Sequence, residues 1–277
     1  MHEFKTIKRV ERDGVVFVAF DNPPVNLVDL AFMSDLEALF SDLENSISAK
    51  VLVFRSVLAD YFVNHYDLSP ASFPKPGAEP PPISLFRLLM RLAELPQVTI
   101  GEIRGRVRGG GSEFCLALDL RFASREKALF GQPEVGVGLH PGAGGTQRLP
   151  ALMGRARALE VMLSGEDYGA DIAEQYGWIN RAFPDAELSG FVDKLAYRIA
   201  SFPAAGLANI KKFVNASYLP SEAVLAEESK AFRTALANPE FAARLGWLFR
   251  QGAQTAGETE LDLGGVLARY PQQSGSA

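Results

Sequence analysis

The sequence predicts an α/β protein with a strand-rich first half and a helical second half. Three observations carry this. Gly14–Phe20 and Val51–Phe54 are short, β-rich apolar runs flanking a stretch of helical apolar spacing, the order of a βαβ unit. From Thr146 onward, apolar residues recur almost throughout at helical spacing. The 277 residues are 47% apolar and 22% charged, which suits a protein able to bury a sizeable core and excludes disordered, collagen-like and coiled-coil classes for the bulk of the chain.

Taken in order, Gly14–Phe20 is a buried strand ended by the turn cluster Asp21-Asn22-Pro23-Pro24. Leu30, Met33, Leu36, Leu39, Phe40 and Leu43 predict a helix, and Val51–Phe54 a second strand. Ser69–Pro82 holds six prolines and cannot be an element interior. It reads as a surface loop or as a cover over a pocket. Ser84–Leu95 is an amphipathic helix, with Leu85, Leu88, Leu89, Leu92 and Leu95 on one side and Arg87 and Arg91 on the other. Val98–Arg108 reads as one strand, broken by Gly109-Gly110-Gly111, where a short helix over Ser112–Leu118 begins. Leu120–Ala123 and Ala128–Phe130 are further strands. Helices are expected near Leu152–Leu163, Ile172–Tyr176, Leu188–Ser201, Gly206–Ala216, Ser221–Ala237 and Phe241–Arg250, with a fraying tail from Gly264. No internal repeat is legible.

Charge and cysteine usage exclude some functions. With 28 basic against 33 acidic residues, the net charge is −5 and no global basic excess offers a nucleic-acid surface. An anionic ligand would need a local basic patch. The single cysteine, Cys115, allows no internal disulfide and fits a reducing compartment. Met1–Gly14 lacks an apolar leader core, and no apolar run is long enough to cross a bilayer, so a cytoplasmic location away from membranes is expected.

Common catalytic motifs fail. Gly142–Thr146 has no following Lys-Ser/Thr and is not a phosphate loop. Gly136-Val137-Gly138 has Pro141 where a dinucleotide fingerprint needs glycine, and no Gly-x-Ser-x-Gly elbow exists. Asp60, His65 and Asp67 could form an oxygen-and-imidazole cluster, but a histidine satisfied by a carboxylate is the simpler reading, and no metal is expected.

Two glutamates stand in glycine-rich settings. Glu113 falls in the first turn of the helix that opens at the three glycines. Such a helix start offers free backbone N–H groups to developing negative charge. Glu134 follows a strand directly and sits behind Pro133. On spacing alone, a lone first-turn glutamate is more often a dipole partner or cap than a catalyst. Together the two suggest a carbonyl polarised by amides, with carboxylates delivering water and a proton across an adjacent double bond or moving a proton along an acyl chain.

Gly105–Phe114 (GRVRGGGSEF), Asp119-Leu120 and above all Phe130–Pro150 (FGQPEVGVGLHPGAGGTQRLP) closely resemble the enoyl-CoA hydratase/isomerase superfamily, the crotonases. Asp21–Asp29 matches that family's early Pro-x-Asn turn more weakly, and Tyr61–Leu68 sits where the family has a loop of small residues. The resemblance covers roughly residues 10 to 215. It implies a crotonase-type spiral of ββα repeats over 1–202, followed by a C-terminal helical region over 203–277 that builds trimers or hexamers. It also implies a CoA thioester ligand and no separate cofactor. By position, Gly110 and Tyr66 would supply the two oxyanion-hole amides. Glu113 and Glu134 would be the catalytic pair, and Val25, Asn64, Tyr66, Asp67 and Gly110 would meet the substrate. Asn26 would be a structural turn residue.

The chain departs from the family's pattern in two places. Asn64, His65 and Tyr66 replace small residues, so a bulky side chain would either narrow the acyl site or point away from it. Asn238–Thr255 lacks the family's acidic-Gly run and the Lys-Arg that follows it. Arg104, Arg106 and Arg108 alternate along the expected strand, which puts them on one side either as an anion patch or as a salt-bridged edge. The expected activity is hydration of a 2-enoyl-CoA. Enoyl-CoA isomerisation, or another enolate reaction, is the enzymatic alternative. A non-catalytic acyl-CoA-binding scaffold is the alternative from another class.

Overall fold

The computed structural model describes residues 3–271 apart from 45, 47, 70, 71 and 73–82. The Pro-rich stretch Ser69–Pro82 therefore lies outside the described residues except at Ser69 and Ser72.

The chain starts with a hairpin, β1 (Ile7–Arg12) against β2 (Val15–Phe20), turned at Asp13-Gly14 with both residues at positive φ. The sequence reading missed β1 because only Ile7 of its six residues is buried. Helix α1 (Leu30–Glu44) follows and presents Phe32, Met33, Leu36, Leu39, Phe40 and Leu43 to the core. Next come β3 (Val51–Ser56), β4 (Tyr61–Val63) and α2 (Leu85–Glu94), then β5 (Val98–Ile103), β6 (Arg106–Arg108) and α3 (Gly110–Ala117). β7 (Leu120–Ser124) and β8 (Leu129–Gly131) lead into a 3-10 turn at Pro133–Val137 and into α4 (Gly145–Met153).

Each unit thus has two strands and a helix, and after the first hairpin the two strands of each unit divide between two sheets. β3, β5 and β7 lie side by side in a six-stranded sheet of order β1-β2-β3-β5-β7-β10. β4, β6 and β8 lie side by side in a four-stranded sheet of order β4-β6-β8-β9. Apart from the first hairpin and the β8–β9 pair, all these pairings are parallel. Each later unit moves one strand along both sheets, which generates the spiral that the resemblance led us to expect.

The chain continues through α5 (Arg155–Ser164), β9 (Asp167–Gly169), α6 (Ala170–Tyr176), β10 (Arg181–Phe183) and α7 (Asp185–Ala200). It ends in α8 (Ala204–Tyr218), α9 (Glu222–Ala235), α10 (Pro239–Arg250), α11 (Glu258–Leu261) and α12 (Leu263–Ala268).

Several expectations need correction. Val98–Arg108 is two strands in two sheets, because Gly105 takes φ +75° between them and a Cβ there would lie 2.3 Å from the Asp60 carbonyl carbon. Period two therefore does not carry across the bend, and the three arginines are not one patch. Arg104 pairs with Glu102 and Asp185, whereas Arg108 pairs with Asp167 and donates to the Glu260 carbonyl. Arg106 donates to the Leu261 carbonyl. The helix expected over Leu152–Leu163 is divided between α4 and α5 at Gly154, and two three-residue strands interrupt the run expected to be helical. The tail does not fray from Gly264: α12 buries Leu263, Val266 and Leu267.

Beneath α3 lies an aromatic cluster. Phe114 meets Phe20 at 5.4 Å and Phe54 at 5.2 Å between ring centroids, both edge-on, and Phe62 meets Phe20 at 5.3 Å. Burying each such ring stabilises the fold by about 2–3 kcal/mol. Because Phe114 follows Glu113 directly, this packing fixes the rotation of α3 and hence the direction of the glutamate.

Candidate active site

The site grows from the junction of β6 and α3. Gly109 turns the chain at φ +48°, and Gly110 opens the helix, so its N–H has no acceptor within the helix. Gly111 must be glycine, since a Cβ there would lie 2.0 Å from the Val63 carbonyl oxygen and 2.3 Å from that of Asn64. That close packing presses the start of α3 against the loop after β4. A Cβ on Gly110 would lie 3.4 Å from the Tyr66 nitrogen, which brings the two expected amides into one corner.

The loop that carries Tyr66 is held at several points. The His65 carbonyl, in the same peptide as the Tyr66 N–H, accepts from Val28 N at 2.9 Å. Asp67 N donates to the Val28 carbonyl and Asn64 N to that of Asn26. Asn26, at φ +50°, donates from Nδ2 to Ser56 Oγ and to the Tyr61 and Phe62 carbonyls. Asp67 accepts from the Ser69 backbone and hydroxyl, from Ser72 Oγ and from Gln254 Nε2.

Glu113 and Glu134 both face a cavity of about 440 Å³. Gly110, Tyr66, His65 and Gln132's neighbour Pro133 also line it, along with the apolar side chains Leu85, Val137, Leu139, Phe232, Leu248 and Leu267. Val25, Asn64 and Asp67, expected to meet substrate, are not among the lining residues. Val25 and Asn64 are fully buried, and Asn64 Nδ2 donates to Glu260 at 2.6 Å.

Glu113 Oε1 accepts from Ala143 N at 2.7 Å and Gly145 N at 2.8 Å. Arg148 steadies that loop by donating to the Ala143 carbonyl. Gln132 Nε2 donates to Glu134 at 3.2 Å and lies 3.3 Å from the point a Cβ would take on Gly145, where Glu113 Oε1 is 3.1 Å away. This amide side chain therefore binds Glu134 and approaches the same glycine as Glu113. Burial pushes the Glu113 carboxyl well above its ordinary value, reinforced by the Glu134 and Glu228 charges. Glu134 is pushed up to about 7, again mainly by burial, while the Gln132 contact and His65 pull it down. Both shifts favour the protonated form, and two interacting carboxyls so raised can differ in protonation, the condition for one to give a proton while the other takes one.

Three contributors carried no local sequence signal. Glu228, on α9, accepts from the Thr146 backbone and hydroxyl and adds a third acid beside the pair. Gln132 lay inside the segment that matched the family but offered no reason to single it out. Glu260, on α11, is wholly buried and meets His65 Nε2 at 3.2 Å. The His65 ring is thus satisfied by a carboxylate from far along the chain and does not join Asp60 and Asp67 in a metal cluster. Among the described residues, no group of three or more metal-ligating side chains occurs, and no helix is long and apolar enough to cross a membrane. Cys115 is buried in the core, which pushes its thiol well above the ordinary range.

Comparison with known proteins places the chain in a family. The sequence profile of the enoyl-CoA hydratase/isomerase family matches residues 10–243. The alpha subunit of the fatty acid oxidation complex from Vibrio vulnificus is 33% identical over 185 residues, which is 65% of this chain and 26% of that protein. The chain therefore spans about a quarter of the length of that relative. The short-chain-enoyl-CoA hydratase of Clostridium acetobutylicum is 28% identical over 80% of the chain and 87% of its own length. A crystal structure from Streptomyces avermitilis, described as a putative enoyl-CoA hydratase, superposes with a TM-score of 0.92 at 42% identity, covering 98% of this chain and 99% of its own.

Proposed function

The chain belongs to the enoyl-CoA hydratase/isomerase family, and from that premise we propose that it adds water across the 2,3 double bond of an enoyl-CoA thioester. The observation that supports this most is the single cavity wall shared by Glu113, Glu134, Gly110 and Tyr66. In this reading the Tyr66 and Gly110 N–H groups hold the thioester oxygen. Each such donor lowers the barrier by about 3 kcal/mol when it is aimed at the charge that develops in the transition state. Glu113 and Glu134 share the remaining work: the ionised member takes a proton from water as it attacks the β-carbon, and the protonated member delivers one to the α-carbon. Gln132 donates to Glu134 and steadies that carboxyl, while the Ala143 and Gly145 amides steady Glu113.

The cavity also bears on the alternatives. His65 and Tyr66 form part of its wall and leave about 440 Å³ open, which favours a working pocket over a blocked scaffold. Isomerisation would use the same amides and one acid, so the retention of both acids favours hydration. Short and medium 2-enoyl-CoAs should yield 3-hydroxyacyl-CoA, identified as product, and Glu134→Gln should reduce that rate by about 1000-fold. A variant as active as the parent, or a product with only a shifted double bond, would defeat the assignment.

The same reading has the chain acting in the cytoplasm as a homotrimer or hexamer assembled through residues 203–277. Ile210, Phe213 and Val214 of α8 are each at least 60% exposed, an apolar face that suits a second copy. Light scattering on the purified chain tests the assembly, and a monomer at micromolar concentration would refute it.

A further inference from the structure

The loop bearing the Tyr66 amide is tied to the C-terminal part of the chain by a contact that the hydration reading does not use. His65 Nδ1 lies 2.8 Å from the Tyr66 carbonyl oxygen, and Nε2 lies 3.2 Å from both carboxylate oxygens of Glu260. A carbonyl and a carboxylate can only accept, so both ring nitrogens must donate, and a ring with two N–H groups is an imidazolium. Glu260 is bound as an anion should be: it also accepts from Gln254 N and from Asn64 Nδ2, each at 2.6 Å. The ring is 5% exposed and its partner 0% exposed, so little water screens the pair.

His65 also lies close to Glu134, whose charge its cation would stabilise. A Cβ on Gly109 would lie 3.6 Å from His65 Cβ and 3.1 Å from Glu134 Oε1. We propose that His65 is a positioning residue of the hydration site. Held as a cation by Glu260, it fixes the peptide next to the oxyanion amide and favours the ionised form of Glu134, so the site is complete only with α11 docked.

The charged groups around the ring come from several elements: Glu260 from α11, Arg108 from β6 and Glu134 from the 3-10 turn. Arg108 opposes the cation but is itself occupied by Asp167 and the Glu260 carbonyl. Around Glu134 stand Glu113 from α3, Glu228 from α9 and His65, and of these only His65 brings positive charge. Burial opposes a charge on His65, but the Glu260 carboxylate and the two hydrogen bonds outweigh it and hold the imidazole above its ordinary value.

The proposal rests on the hydration reading, so its first test needs no turnover. The chain has only three histidines, His2, His65 and His140, so nitrogen NMR of labelled imidazoles resolves them. The His65 ring should keep both protons at pH 7.5, and Glu260→Gln, which keeps the shape of the partner, should bring its titration down by at least one pH unit. A neutral His65 ring in the parent protein at that pH overturns the proposal, whatever the enzyme catalyses.

The second test is His65→Gln, in which the amide can still donate to Glu260 and keep α11 docked. Hydration kcat should fall about 10- to 100-fold with KM changed less than about 3-fold. The acid limb of kcat/KM should move to higher pH, because a cation is removed and the Glu260 anion stays. A tether with only a structural role would leave that limb in place, and an unmoved limb therefore counts against the proposal. Absence of hydratase activity in the parent protein would sink the underlying reading instead, and the NMR result would still decide the state of His65.

Discussion

Two regions meet at the cavity, and they were made in different ways. The segment from β5 to α4 supplies Gly110, Glu113 and Glu134 within a few turns of chain, set in place by glycines that backbone contact makes obligatory. The C-terminal helices supply Leu248, Leu263 and Leu267 to the wall, and Glu260 to the loop behind it, with no motif at all. Chemistry that needs backbone at close approach leaves a local signature, because only glycine permits the approach. A wall needs only apolar bulk, which many sequences supply.

The largest effect should come from the first region. Replacing Glu113 and Glu134 by glutamine together should cut hydration by about 10³- to 10⁴-fold, with hardly more loss than the more severe single variant, because two interacting acids in one reaction act as a unit. A double variant whose loss equals the product of the single losses would show that the two do not act together. Fold stability should move the other way. Both carboxyls are raised by burial, so near pH 8 each folded ion is costly, and Glu134→Gln should stabilise the chain by about 1–3 kcal/mol in urea unfolding.

Next in size is Gly111→Ala. The added methyl would enter the Val63 and Asn64 carbonyls at 2.0 and 2.3 Å, so α3 or the Tyr66 loop must move. We expect about 3 kcal/mol of destabilisation and about 100-fold loss of kcat, since both amides shift. An alanine variant with normal activity would mean that the two amides are not held by this packing.

These particulars explain what the sequence disclosed. The βαβ start, the amphipathic α2 and the glutamates were legible because periodicity and glycine spacing are local. The spiral was not legible from residues alone: its repeats share geometry and not sequence, and its shorter strands, such as β6, β8, β9 and β10, have three residues each. One run across Gly105 was read as a single strand because nothing in its composition marks a change of sheet. Val25, Asn64 and Asp67 were expected to meet substrate, yet the structure uses the latter two to hold the loop. Glu228 and Glu260 were invisible, since an acid on a polar helix shows its partner only after folding.

The C-terminal wall can be tested for its own share. A Cβ on Gly136 would lie 2.8 Å from Leu267 Cδ1, so this leucine seals the 3-10 turn that carries Glu134. Leu267→Ala should cost about 2 kcal/mol in stability and widen the cavity. Longer acyl chains should gain in kcat/KM relative to short ones, while kcat for a four-carbon substrate stays within about 3-fold. If the four-carbon rate fell as far as in Gly111→Ala, the wall would be part of the chemistry and the contrast between the regions would fail.

The smallest effect is also the one that joins the two regions. Glu260 is held down at about 2, by the His65 charge and by the hydrogen bonds from His65, Gln254 and Asn64, against the opposing effect of burial. Its contribution to stability is therefore present above about pH 4.5, the unfolded value, and is lost as pH falls towards 2. His65 is raised, so its contribution is complete below about pH 6.5 and fades as pH rises through the folded value. The pair should thus stabilise most between about pH 4.5 and 6.5. Glu113 and Glu134, also raised, add a loss on the alkaline side that His65→Gln does not remove. Melting curves from pH 5 to 8.5 should therefore fall for both proteins, with a gap between parent and His65→Gln of about 2 °C at pH 5.5 that closes towards pH 8.5. Parallel curves across that range would mean that the ring is not a cation in the folded chain, and the helical end of the protein would then be a wall and nothing more.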